Sequence, residues 1–203
     1  VAITIAVNYN DIFRHMLIPN AKFFKMWIIV TSPEDKRTMH LIRRSRQKNI
    51  KVLTYNDFYA GGAKFNKGGA LRFAQEHVYQ NYANTTMLIL DADILLPDDF
   101  LQKLPATIEP NTLYGVSERL DYWNITDYRN NTNPHRHPMS KEFIGFFQLY
   151  KQRPKYKYQQ SFNCSNCDMK FKNRFDKKVL LNLSVKHLGR KGDNWDGVVA
   201  KIT

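Results

Sequence analysis

The sequence predicts an α/β domain: a central, mostly parallel, twisted sheet flanked by helices, with a smaller antiparallel part. Three observations lead there. Apolar runs of strand length alternate with helix-compatible segments through residues 1–105, the order expected of parallel strands joined by crossover helices. The run "MLIL" at 87–90 is apolar at every position, as befits a strand buried on both faces. With 43% hydrophobic and 13% aromatic residues, the 203 positions supply enough apolar surface for one domain core.

The elements follow in order. Residues 3–7, "ITIAV", read as a buried strand ending in the polar loop "NYND". A helix over 12–24 is expected to end or kink near Asn20 because of Pro19. "MWIIVTS" (26–32) is a second strand, and "PEDKRTMHLIRRSR" (33–46) opens on proline and acids, as helix N-termini do. "IKVLTYND" (50–57) is a third strand. In "NKGGALRFAQEHVYQNY" (66–82), Ala70, Phe73, Ala74 and Val78 recur at helical spacing. "TMLILDAD" is the fourth strand, and "DDFLQKLP" (98–105) opens a short helix.

The second half differs. "TLYGVSERLDYW" reads as an edge or antiparallel strand, "NITDYRNNTNPHRHP" as turns, and "SKEFIGFFQLYKQ" as strand or helix. Nine Lys and Arg fall within residues 151–178. No repeat or long linker interrupts the chain, so residues 1–203 read as a single domain.

Composition narrows the function. Thirty-one Lys and Arg against 18 Asp and Glu give a net charge of +13, which attracts anions such as nucleotides, nucleic acid or acidic lipid. No apolar run is long enough to cross a membrane. The opening "VAITIAV" is too short, and lacks the charged flank, for a signal peptide. Val1 leaves an upstream segment open. Cys164 and Cys167, the only cysteines, make no disulfide framework.

The informative stretch is "MLILDADILLPDDF", 87–100. In an open α/β sheet, ligands bind outside the carboxyl ends of the strands. Asp91 and Asp93 stand at such an end, and two hard carboxylates suit Mg²⁺ or Mn²⁺. Asp98 and Asp99, after Pro97, suit a helix start instead. In "GGAKFNKGGALRFA" (61–74), Gly68 and Gly69 permit close backbone approach and open a helix whose N-terminus favours an anion. Lys67 can reach a phosphate or a sugar hydroxyl.

With these motifs the chain resembles the GT-A glycosyltransferases, which use nucleotide sugars and carry a DxD motif after a central strand. The resemblance covers residues 1–105 firmly and the rest loosely. It implies that 1–105 binds the nucleotide sugar and 106–203 forms the acceptor side and a closing loop. Asp93 would ligate Mn²⁺ or Mg²⁺, with Asp91 on the metal, its bound water or the ribose. Thr4, Asn8, Tyr9 and Asp57 would lie near the nucleotide, with Lys67 and Gly68. In "VKHLGRKGDNWDG", His187 would complete the metal site, while Trp195, with Lys191 or Arg190, would close over the diphosphate. Gly189 and Lys191 come earlier than the family pattern has them.

An inverting enzyme needs a carboxylate base on the acceptor side. Asp168 in "CDMKF" is the first candidate and Asp121 the second, ahead of Glu118 and Glu142; a retaining outcome needs none. "GFFQLYK" (145–151) resembles the family's acceptor-side segment: Gly145 would leave room for a hydroxyl, and Phe146, Phe147 and Tyr150 would stack on sugars or pack the core. The expected activity is metal-dependent transfer of a hexose from a nucleoside-diphosphate sugar, UDP favoured, to a glycan or glycoprotein hydroxyl. The order "GFFQLY…CSNCDMKF…HLGRKGDNW" is similar to small glycosyltransferases of large algal viruses. That implies the host cytoplasm, which agrees with the absence of a membrane-length apolar run; a monomer without a nucleic-acid partner is also expected. Two alternatives are a sugar-phosphate nucleotidyltransferase, against which "AVNYNDIFRHM" lacks a glycine-rich loop, and a basic nucleic-acid-binding module.

Overall fold

A computed structural model describes residues 1–140, 145–160 and 166–189. The first half winds as expected: β1 (Ala2–Ile5), α1 (Asn10–Ala21), β2 (Trp27–Thr31), α2 (Lys36–Ser45), β3 (Ile50–Thr54), α3 (Lys67–Asn81) and β4 (Thr86–Leu90). These four strands are parallel, in the order β3-β2-β1-β4. Alternate residues of each central strand feed two cores. Ala2, Trp27, Ile29, Leu88 and Leu90 face α1 and α2. Ile3, Ile28, Val30, Met87 and Ile89 face α3. Both faces are covered, which is why these strands read as unbroken apolar runs.

Local chemistry sets the helix ends. Asp35 caps α2 by accepting from the Thr38 amide at 3.0 Å, and Asn66 caps α3 by accepting from the Gly69 amide at 2.9 Å. Pro19 is accommodated inside α1, two residues before it ends at Ala21. The "DDFLQKLP" helix is one 3-10 turn, Phe100–Lys103.

After the two-residue β5 (Ile94–Leu95) come β6 (Thr112–Tyr122), α4 (Ile125–Asn130), β7 (His135–Pro138), β8 (Phe147–Lys151), α5 (Cys167–Lys172) and β9 (Lys177–Leu188). The sheet continues β4-β8-β6-β9-β5, with β7 paired to β6, making nine strands among the described residues. Two expectations change here. Of the two readings of 112–122 the antiparallel one holds, since the strand pairs antiparallel with β7 and β8, but it is not at an edge, because parallel β9 lies on its other side. The segment read only as turns, 124–138, contains α4 and β7. Both are short, and no periodicity of useful length marks them.

Two registers position the turn that follows β4. β8 runs antiparallel along β4 with Leu90 opposite Phe147, and the Asp91 amide donates to the Phe146 carbonyl at 3.0 Å. β5 pairs antiparallel with β9, Ile94 opposite His187, and the Leu188 amide donates to the Asp93 carbonyl at 3.1 Å. Asn20, buried on α1, clips this turn. Its amide donates to the Ile94 carbonyl at 2.8 Å and its carbonyl accepts from the Leu96 amide at 3.0 Å. Where β6 bulges between Val116 and Glu118, the Ser117 hydroxyl serves both backbone groups of Leu183.

Candidate active site

Past the carboxyl end of β4, the chain turns through Asp91-Ala92-Asp93 into β5, and the two carboxylates go to different partners. Asp91 Oδ1 accepts from Lys67 Nζ at 2.9 Å. The same ammonium donates to Asp168 Oδ2 at 3.1 Å. Lys67 is the first residue of α3, and its side chain is buried between the two carboxylates. Burial disfavours the ammonium, but Asp168 and then Asp91 outweigh it and hold its pKa well above the ordinary lysine value. Burial pushes Asp91 up to about 6, with Lys67 opposing and the Asp93 and Asp168 charges adding.

Asp168 stands in the first turn of α5 and is buried. Its Oδ1 accepts from the Tyr158 hydroxyl at 2.9 Å. That hydroxyl also contacts Gln148 Oε1, and the Tyr158 ring stacks on Phe171 at 4.2 Å. Gly145 lies flush against the carboxylate: a Cβ there would come within 1.9 Å of Asp168 Cγ. The space expected at Gly145 is therefore filled by Asp168 itself. Phe146, Phe147 and Tyr150 are all buried, so of their two readings the structure supports core packing.

Asp93 faces His187, with Oδ2 3.4 Å from Nε2. On the other side of the ring, His187 Nδ1 lies 2.9 Å from Asp121 Oδ1. Asp121 is gripped in turn by Arg119, whose Nε and second guanidinium nitrogen donate at 2.7 and 3.0 Å. His137 Nε2 lies 3.0 Å from Asp121 Oδ2, off-line for a hydrogen bond. Burial pulls His187 down, but the Asp93 charge and the Asp121 and Asp93 hydrogen bonds outweigh it and hold the imidazole at about 9. Burial likewise raises Asp93 and Asp121, and the same imidazole more than offsets it, leaving both below the usual carboxylate range.

With an ion in place of the proton that Nε2 holds against Asp93, a histidine oriented this way could ligate a metal. A ligating imidazole commonly gives its second nitrogen to a carboxylate, which fixes ring orientation. Asp121 does that here and leaves Nε2 turned toward Asp93. One imidazole nitrogen and one carboxylate suit Mn²⁺, with water and phosphate oxygens filling the remaining positions. Among the described residues no three His, Cys, Asp or Glu side chains converge on one point. Asp91 is the expected ligand left out, because it is turned to Lys67.

The other expected site residues divide. The Asn8 amide donates to Asp35 Oδ2 at 2.6 Å, and Asn8 adopts a left-handed φ of 59° at the mouth of β1. Tyr9 is buried at the start of α1. Asp57 is exposed on the loop after β3. Thr4 does not reach the mouth: it is fully buried within β1, and its hydroxyl accepts from Trp27 Nε1 at 2.9 Å. Gly68 is buried in the first turn of α3. At Gly69 a Cβ would meet the Tyr55 hydroxyl at 2.4 Å and the Asn66 amide at 2.6 Å, so a side chain there would have to displace both and disturb the α3 cap. Arg190, Lys191, Trp195 and Glu142 lie outside the described residues. Sequence reading missed Arg119, Gln148, Tyr158 and Asn20, because each acts through a partner on a distant strand or helix.

No protein-family model matches the chain in sequence, and no curated protein does. Solved structures do match in shape. A structure of an active-site mutant of LgtC matches with a TM-score of 0.51 at 12% identity, over 88% of this chain and 71% of that one. The fold is of the GT-A type. A second LgtC structure, described as a galactosyltransferase in complex with donor and acceptor sugar analogs, matches with a TM-score of 0.41 at 12% identity, over 73% of this chain and 56% of that one. A provisionally assigned glucose-1-phosphate thymidylyltransferase from Bacillus anthracis matches with a TM-score of 0.46 at 11% identity, over 93% and 86%. The structural neighbours thus include both glycosyltransferases and nucleotidyltransferases. Among the described residues no helix is long and apolar enough to cross a membrane.

Proposed function

We propose that the chain is a metal-dependent glycosyltransferase that moves a hexose from a nucleoside-diphosphate sugar, UDP favoured, to a hydroxyl of a glycan or glycoprotein. The observation that carries this reading is the Lys67 bridge. One buried ammonium ties Asp91, at the sheet's ligand-binding end, to Asp168, beside the β8 segment of the second half. Donor and acceptor groups brought together by one side chain suit transfer between two bound substrates.

Asp93 and His187 would hold Mn²⁺ or Mg²⁺, with Asp121 and Arg119 orienting the imidazole. Such an ion, when bound, supplies Lewis-acid stabilisation of charge on the departing diphosphate. Asp91 orients Lys67. For an inverting transfer, Asp168 accepts the proton of the acceptor hydroxyl; among the described residues its two oxygens accept from Lys67 and from Tyr158, and each carboxylate oxygen has two lone pairs. Asp121 is better suited to positioning than to that role, because its carboxylate is enclosed by Arg119, His187 and His137.

The nucleotidyltransferase reading shares the fold. Against it, the link from β1 to α1 is the four residues Ala6–Tyr9, without a glycine. The test is a panel of UDP- and GDP-sugars with Mn²⁺, read as nucleoside diphosphate release with and without chelator. Metal-dependent release that Asp93→Ala abolishes supports the transferase. Pyrophosphate release from a nucleoside triphosphate plus a sugar 1-phosphate, with intact nucleotide sugars, overturns it.

A further inference from the structure

The largest feature the active site does not use is electrostatic. Residues 36–48 contain six cations and no acid. Lys36, Arg37, Arg43 and Arg44 project from α2, and Arg46 and Lys48 follow its end; all six are exposed. None has an ion pair among the described residues. A solvated helix face usually mixes signs, as elsewhere in this protein: Arg72 pairs with Glu76 on α3, and Lys103 with Asp99 after β5. Among the described residues the α2 cations make no such pair with a carboxylate. Arg43 and Arg44 at least lie in the last turn, where the helix dipole welcomes cations. Lys36 and Arg37 lie in the first turn, where it opposes them; the Asp35 cap, the neighbouring Glu34 charge and the Pro33 carbonyl, which accepts from Lys36 Nζ at 2.7 Å, offset part of this.

The charge has a definite place. α2 packs beside α1 on one face of the sheet, the face opposite α3. The outward side of α1 adds Arg14, and the exposed Ile18 lies one turn along from it. The exposed large apolar side chains that could stack on bases, Tyr59, Phe73 and Trp123, lie off these two helices. Single-stranded nucleic acid is held by aromatic platforms beside cations. A bilayer surface asks only for many cations on one face, helped by an apolar side chain.

We propose that the α1–α2 layer binds an anionic phospholipid surface, with α2 as the principal contact. Each lysine or arginine near such a surface strengthens binding by about fivefold, so removing two charges should weaken it roughly 30-fold. The attraction should also fade with salt, as the screening length shortens.

The test is sedimentation of the full chain with vesicles of phosphatidylcholine alone and with about one-third phosphatidylserine. Wild type should bind the mixed vesicles and not the neutral ones. Arg43→Gln with Arg44→Gln should lose about 30-fold, while circular dichroism shows an unchanged fold. Arg153→Gln with Lys177→Gln, both exposed in the second half's basic region, should lose far less. Equal binding to both vesicle types, or none to either, overturns the proposal. So does a larger loss for the second-half pair. Tighter binding of a single-stranded RNA than of the mixed vesicles at equal phosphate, with the RNA affinity falling in the α2 variant, assigns the layer to nucleic acid instead. None of these outcomes depends on the catalytic reading.

Discussion

His187 Nδ1 lies 2.9 Å from Asp121 Oδ1, two residues 66 positions apart in sequence joined across the parallel pair β6 and β9. The contact fixes which imidazole nitrogen faces Asp93. Asp121→Asn keeps the shape but removes the charge that steadies the ring, and loss of such an outer partner typically costs 10–100-fold in metal affinity. Titration calorimetry with Mn²⁺ should show a loss of about that size. Wild-type affinity in the variant would detach Asp121 from the proposed metal site.

Lys67 is the only described cation within hydrogen-bond reach of both Asp91 and Asp168. Lys67→Met leaves the buried Asp168 facing the partly exposed Asp91 without their shared cation, and breaking such a pair costs up to about 3–5 kcal/mol. Chemical denaturation of the metal-free chain should show that loss. Lys67→Arg should recover part of it while distorting the bridge, because a guanidinium is bulkier and planar.

Gly145→Ala should displace Asp168, since the new methyl would stand 1.9 Å from its Cγ. Overpacking of this kind costs about 1–3 kcal/mol. If Asp168 is the base, transfer slows while nucleotide-sugar binding, measured by calorimetry, is retained. Unchanged turnover would count against Asp168.

Burial pushes the Tyr79 phenol up to about 12, a hydrogen bond from Tyr150 opposing. Its hydroxyl donates to the Tyr156 carbonyl. The folded state therefore holds this proton more tightly than the unfolded chain. The stability it contributes is whole below pH about 10 and is lost as pH rises through about 12. Denaturant midpoints followed across that window should fall for wild type. In Tyr79→Phe the fall should be shallower, because Tyr150 and Tyr158 still titrate high.

Much of the first half was legible in order along the chain. Strands and helices from Ala2 to Leu90 follow from apolar runs and caps, and the acidic strand end follows from "MLILDAD". The β8 strand was legible only as strand or helix, since "GFFQLYK" is apolar under either period. Thr4 shows the converse failure: its place in the strand was readable, but whether its hydroxyl met solvent or Trp27 was not.

What the sequence determined by itself was local: where the chain runs straight, where helices start, and which strand ends in carboxylates. Those follow from side-chain period and backbone preference within a few residues. Only the tertiary structure decided the partners: Lys67 between Asp91 and Asp168, and His187 between Asp93 and Asp121. Each pairing depends on strand register, and a one-residue slip turns a side chain to the other face of the sheet. That register is set by the sum of both cores, the β6 bulge and the Asn20 clip, none of which any short stretch of sequence contains.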